Sequence, residues 1–411
     1  MRVAFITPQP ADHGWVAGMA TDVAVGLARA GCDVVVYTAS EPHAVPRLEA
    51  AGIPVHAVDP GWRRGRWYSR RRMRMAVSNL VARAWATRAL GRLLVAHHHE
   101  RRYDVVYQFS TLEVFGLRRH LDRLPPLVVH PGVHAAGELH ALRRERDLAR
   151  RCEPWSRRAG AEVLYGVRAM RQRHDARLPA GFLAPSERFA DDLRRDLRLD
   201  PARVRAVPNP IDLQRFAPAA GAAGSHQDGG PIRVRYVGRV SVRKGIDAVV
   251  ALSHRLADLE GRVTLEVVGG ATLWSDYRCL LDDLDAAIAS YRGPVATYEV
   301  PGVLAETDVL VQPSTYEPFA LTVGEALACG VPVVATNTVG ATEGIDPACC
   351  RVVDSGDLDA LEAAVRGLVA DLESGAGPRL RALARAEAER RFDPATVVRA
   401  VHDVLQDFSG A

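Results

Sequence analysis

Lysine is almost missing. The chain of 411 residues carries 53 basic residues against 49 acidic ones, and a single one of the 53, Lys244, is a lysine. Arginine is a planar fork, whereas lysine is a compact point charge on a flexible stem. A chain that uses arginine wherever either cation serves marks position 244 as one where arginine does not serve. The net charge is only +4, too small to argue by itself for a nucleic-acid partner, and none is expected.

Long apolar runs are also absent. No stretch approaches the roughly 18–20 residues of a membrane span. The first apolar run, Val3–Ile6, stops at Thr7 and Pro8 and reads as a β-strand, not as the core of a signal peptide. The six cysteines are scattered, at 32, 152, 279, 329, 349 and 350, with no Cys-x-x-Cys and no zinc spacing. Most of them are expected to act as small apolar residues, in a reducing, cytoplasmic location. Apolar residues make up 48% and charged residues 25%. These are globular values that exclude wholesale disorder, a fibre or a long coiled coil, and the length calls for two or three domains.

Along the chain, short β-branched runs alternate with stretches long enough for helices. Strands are predicted at Arg2–Thr7, Val34–Tyr37, Val55–Val58, Val105–Phe109, Leu127–His130 and Gly181–Ala184. Small and breaker residues then dominate Ala217–Gly230, as in a linker. The rhythm restarts with strands at Ile232–Val237, Val263–Val268, Val295–Tyr298, Val309–Gln312 and Pro332–Ala335, and helices near 245–259, 275–290, 322–329 and 357–373. Alternation of this kind predicts parallel sheets covered on both faces, with ligands at the carboxyl ends of the strands. The expected architecture is two α/β domains of similar size around a cleft, a natural ligand site.

Four segments of the second half fit one ligand. In Tyr236–Asp247 a strand ends, Gly238 lets the chain turn, and Arg239 and Lys244 flank the turn before a helix opens. Two cations at the end of a parallel strand suit a diphosphate. In Val309–Gly330 a strand runs through a loop into a helix starting near Leu321, with Glu317 in the loop and Glu325 about one turn into the helix. The free N–H groups of a helix start favour an anion, and carboxylates beside it accept hydrogen bonds from sugar hydroxyls. Gly330–Glu343 reads as a buried strand and loop, and Val204–Asp212, followed by Arg215-Phe216-Ala217-Pro218, lies at the domain junction.

These segments resemble the retaining GT-B glycosyltransferases of the GT4 family, also called glycosyl transferases group 1. The order and spacing of Gly-Arg…Lys-Gly, Pro-Ser…Glu-x7-Glu with Ala-x-Ala-x-Gly-x-Pro-Val, and Pro-Asn…Asp…Phe-x-Pro all hold. The resemblance implies two Rossmann-like domains, at 1–209 with a returning helix 392–411, and at 210–391. It implies a nucleotide-sugar donor, most simply UDP-linked, and a small-molecule or lipid-linked acceptor. Arg239 and Lys244 neutralise the leaving diphosphate in place of a metal ion, so neither metal nor bound cofactor is expected. Glu325 holds the ribose and Glu317 the donor sugar. Main chain at Phe319, Ala320, Leu321 and Thr322 touches sugar and phosphate, the base packs near Tyr298 and Val300, and Gly238 and Asn209 belong to the same site. A catalytic histidine after a strand corresponds to His130, with His134 as the alternative. The first loop, where the family carries Gly-Gly, offers Gly14 and Trp15, or Gly18 under a gapped alignment.

Three departures stand out: Trp15 for glycine, Ala320 where the family has glycine, and Asn209-Pro210-Ile211-Asp212 for Asn-Gly-Val-Asp. Two other readings accompany the transferase: an epimerase or phosphorylase on the same architecture, and a non-catalytic sugar-nucleotide binder. The basic, aromatic stretch from Arg63 to Arg74 is read as a solvated loop or a peripheral membrane contact.

Overall fold

The computed structural model describes residues 1–8, 10–12, 15–40, 43–59, 72–114, 116–218, 230–271 and 276–410, with the side chains of 15, 16 and 72–84 left aside. Gly14 and Arg63–Arg71 lie outside the described residues, as does nearly all of the linker.

The first lobe alternates β1 (Arg2–Thr7), α1 (Trp15–Arg29), β2 (Asp33–Thr38), α2 (Pro46–Ala50), β3 (Val55–Ala57), α3 (Arg72–Glu100), β4 (Val105–Ser110) and β5 (Leu127–Pro131). Three helices follow in series, α4 (Ala135–Arg144), α5 (Arg146–Cys152) and α6 (Trp155–Asp175), before β6 (Gly181–Ala184), α7 (Glu187–Leu197) and β7 (Val204–Ala206). The second lobe runs β8 (Ile232–Val237), α8 (Ile246–Arg255), β9 (Val263–Val268), β10 (Ala289–Gly293), α9 (Val300–Ala305), β11 (Val309–Gln312), α10 (Leu321–Ala328), β12 (Val333–Thr336) and β13 (Cys350–Val353). It closes with α11 (Leu358–Glu373) and α12 (Gly377–Phe392), and the chain ends in α13 (Pro394–Ser409).

The sheets have seven strands in the order β3-β2-β1-β4-β5-β6-β7 and six in the order β10-β9-β8-β11-β12-β13, with every described pairing between these strands parallel. Central strands such as Val105–Phe109 and Val309–Gln312 are buried along their length, which is why they read as continuous apolar runs. Helix α13 returns to the first sheet, where Val397, Val401 and Leu405 share a core with Val3, Phe5 and Leu27. Each such buried aliphatic side chain contributes about 2 kcal/mol. Gly26 makes the approach possible, since a Cβ there would meet Val398 Cγ2 at 2.4 Å.

Two local expectations are corrected. The helix predicted near 275–290 is a short 3-10 turn, Arg278–Asp283, followed by β10, and the predicted strand Val295–Tyr298 is the approach to α9. The six cysteines are not all core fillers either. Cys152 at the end of α5 and Cys279 form a disulfide, Cα–Cα 6.1 Å, that ties the lobes together. Cysteine usage therefore no longer argues for a reducing compartment. Cys32, Cys329, Cys349 and Cys350 are free and buried, as expected.

Candidate active site

The cation-bearing turn follows β8. Residues Val242–Lys244 form one 3-10 turn, and Gly245 at φ 78° leads into α8. A Cβ on Gly245 would stand 2.0 Å from the Pro313 carbonyl oxygen, so only glycine lets this turn lie against the end of β11. The contact sets Lys244 beside the loop that follows that strand. Lys244 is buried, and its Nζ lies 2.7 Å from Glu317 Oε2. Burial lowers the ammonium pKa against the pull of Glu317. Arg243 stitches the same loop: its Nη1 donates to the Tyr316 carbonyl at 2.7 Å and lies 3.7 Å from Glu317. Burial pushes the Glu317 carboxyl up, but Lys244, Arg243 and Arg239 together hold it below the usual range. Arg239 is exposed, yet close enough to act on both Lys244 and Glu317.

The same loop enters α10. Its N-cap, Ala320, has φ 74° and ψ 81° and gives no side-chain cap, so the N–H groups of the first turn have no capping side chain. A helix start of this kind is a ready anion site. Glu325 lies one turn in, and burial pushes its carboxyl up to about 7 against the weaker effects of Arg215 and Lys244. Glu325, Arg215 and Val300 line a cleft whose far wall is Asp12, Gly18 and Arg47 of the first lobe. Arg239, Lys244, Glu317, Glu325 and the α10 start thus converge at the carboxyl ends of β8 and β11, facing the other lobe.

That lobe presents His134, not His130. His134 Nε2 lies 2.7 Å from Asp196 Oδ2 and Nδ1 2.8 Å from the Tyr316 hydroxyl. The carboxylate only accepts, so Nε2 carries a proton. This hydrogen bond holds Asp196 below the usual carboxylate range. On the same side Glu138 Oε1 lies 3.6 Å from Arg243 Nε. His130 points into its own lobe, 2.6 Å from the Tyr107 hydroxyl and edge-on to Phe109, and burial lowers it to about 4. The structure does not bring His130 to the second lobe.

Comparison with known proteins decides the family. The description "Glycosyl transferases group 1" matches residues 231–371, and "Glycosyl transferase 4-like domain" matches 16–210. This chain belongs to the group 1 glycosyl transferases. It is 28% identical over 356 residues to a D-inositol 3-phosphate glycosyltransferase of Paenarthrobacter aurescens, covering 82% of this chain and 80% of that one. It is 30% identical over 283 residues to an alpha-maltose-1-phosphate synthase of Mycolicibacterium smegmatis, covering 62% and 67%. HepE of Anabaena, solved in complex with UDP, shares the GT-B fold with TM-score 0.68 and 19% identity over 99% of this chain and 100% of that one.

The remaining expected residues of this glycosyltransferase divide. Leu321 lines the cleft with Val300. Thr322 and Asn209 are buried, and among the described residues Asn209 Oδ1 has no hydrogen-bond partner. Gly238 has its N–H bonded to the Val268 carbonyl. The Phe319 ring belongs to the core, edge-on to Phe392 at 5.5 Å, leaving only its main chain for a ligand. Tyr298 is 81% exposed and does not line the cleft. Trp15 opens α1, and Gly18, the gapped alternative, does line the cleft. Sequence reading missed Arg243, Glu138, Asp196 and Tyr316. Arg243 alone carried a signal, its place beside Lys244.

Proposed function

We propose that this glycosyltransferase moves a sugar, with retained anomeric configuration and without a metal ion, from a UDP-sugar to a hydroxyl of a small-molecule or lipid-linked acceptor. The observation that carries this reading is the convergence of Arg239, Lys244, Glu317 and the uncapped start of α10 on one edge of the cleft. In the reaction the bond from the anomeric carbon to the phosphate oxygen breaks and one to the acceptor oxygen forms, while the acceptor proton passes to the departing phosphate. Negative charge grows on the diphosphate. Lys244, Arg239 and the helix N–H groups are aimed at that charge, the kind of preorganised field that lowers a barrier. Lys244 leaves Glu317 for the phosphate, and Glu317 is then free to accept from a sugar hydroxyl. Glu325, at the cleft wall, accepts from the ribose. A UDP-linked donor is supported by the UDP complex of HepE.

The test is a panel of nucleotide sugars screened by thermal shift, since a bound donor raises the melting temperature, followed by NMR of the product anomer. Stabilisation by a UDP-sugar and an unchanged anomer are expected. An inverted product sinks the retaining mechanism, and activity that vanishes with EDTA and returns with Mg²⁺ sinks metal independence.

A further inference from the structure

Helix α6 is built inside out. Its buried residues include Arg158, Gln172 and Asp175. Arg158 donates to the Leu142 carbonyl, Gln172 bonds Ala135 N and Glu113, and Asp175 meets Arg118. Its apolar residues face solvent: Val163 is 68% exposed, Val167 53%, Met170 67% and Trp155 80%. At about 100° per residue, Val163, Val167 and Met170 fall within about 60° of one another. They form one stripe, not scattered singles, and a contiguous exposed apolar stripe marks a binding surface. Arg157 and Arg171 border it on one side and Arg173 on the other, with Arg171 also 3.6 Å from Asp175.

A second feature lies at the carboxyl end of the same helix. A pocket of ≈ 250 Å³ is lined by Arg173, Arg177, Arg198 and Arg203 with Leu197 and Leu199. That volume far exceeds the ~30 Å³ share of one water, and no acidic residue lines it. The Arg203 guanidinium is fixed in the wall by the carbonyls of Ala176, Pro179 and Ala180. Converging guanidinium groups bind phosphate oxygens through paired N–H donors.

We propose that the stripe and the pocket are one docking surface for an anionic phospholipid bilayer. The stripe enters among the acyl chains, Trp155 sits at the interface, and the arginine pocket takes a lipid phosphate. Among the described residues no helix is long and apolar enough to cross a membrane, and this surface needs none. A symmetric second copy fits poorly, because an isologous pairing would set the same basic edges against each other. Helix α6 packs against α4, which carries Glu138 toward Arg243, so docking would hold the acceptor side of the cleft near lipid. The docking itself does not depend on the transfer reaction.

The test is co-sedimentation of the full chain with vesicles of phosphatidylcholine alone or with one-third phosphatidylglycerol. Binding to the anionic vesicles should exceed binding to the neutral ones by at least about tenfold and weaken with salt. Val163→Asp/Val167→Asp/Met170→Asp should lose about tenfold or more, and Arg173→Gln/Arg177→Gln/Arg198→Gln should lose the preference for anionic lipid. Unchanged melting and UDP binding would show that both variants are folded. Equal binding to the two vesicles, or variants that bind as the parent does, overturns the proposal. So does a dimer that the aspartate variant dissolves, or protection of the arginine pocket by inorganic phosphate without vesicle binding.

Discussion

Glu317 and Glu325 lie eight residues apart on one strand–loop–helix unit, Glu325 buried and Glu317 nearly so, and their surroundings shift their carboxyls in opposite directions. Glu317 touches Lys244 at 2.7 Å and is held ionised. Glu325 sits inside a helix whose neighbours Val323, Ala326 and Leu327 are all buried, and its carboxyl is pushed up to about 7. Burial alone therefore does not fix the charge of a carboxylate; a cation in contact does. The lone lysine is committed to Glu317 until a stronger anion arrives, whereas Glu325 can gain or lose its proton near neutral pH.

The largest effects should come from breaking the Lys244–Glu317 pair. Lys244→Ala should lower turnover by about 10²–10³-fold, the usual cost of one donor aimed at transition-state charge. Near-normal turnover would contradict the role of the lysine. Glu317→Gln strands a buried ammonium and should cost roughly 3–5 kcal/mol in urea unfolding. The double variant Lys244→Ala/Glu317→Gln should recover much of that stability and none of the turnover. Recovery of both would show the pair to be only structural.

The same change at Glu325 should have the opposite sign. Its folded pKa of about 7 lies above the ordinary carboxyl value of 4.5, so the folded state holds the proton more tightly than the unfolded chain. The stability this contributes is full at pH values below about 4.5 and is lost as pH rises through 7. Glu325→Gln should match the parent near pH 4 and exceed it at pH 8 by on the order of 3 kcal/mol. Calorimetry should show weaker UDP binding in the same variant, by about tenfold, because a neutral amide accepts a hydroxyl less well than a carboxylate. A variant less stable than the parent at pH 8 would place Glu325 in a contact like that of Glu317.

Lys244, Glu317 and Glu325 were legible because each belongs to a local strand–loop–helix pattern, and buried parallel strands such as Ile232–Val237 and Val263–Val268 were legible as apolar runs. The misread strand shows the limit. In β10 the residues Ser290–Arg292 are exposed, as befits an edge strand, and an exposed edge has no apolar signature. The first lobe's share of the site was hidden for another reason. His134 and Tyr316 are 182 residues apart and Cys152 and Cys279 are 127 apart, so only the packing of the lobes makes them neighbours. Between His130 and His134, the family resemblance pointed to the strand end, while the fold gives the interlobe contact to the histidine that precedes α4.

Ala320, midway between the two glutamates, gives the smallest and sharpest test. Its φ of 74° and ψ of 81° are left-handed, a conformation that costs an L-residue with a Cβ about 1–2 kcal/mol and that glycine adopts freely. The strain persists because the flanking loop is pinned: Gly340 N donates to the Glu317 carbonyl at 3.2 Å and Ala341 N to the Phe319 carbonyl at 2.7 Å. Ala320→Gly removes the strain but gives the unfolded chain more freedom, worth up to about 1 kcal/mol. The net expectation is a gain of about 0.5–1 kcal/mol, read as a raised urea midpoint at constant slope. Because the pinned loop fixes Glu317 and Glu325 with or without the methyl group, the pH dependence assigned to Glu325 should stay in place. A loss of stability would mean that the methyl group packs better than the left-handed backbone strains.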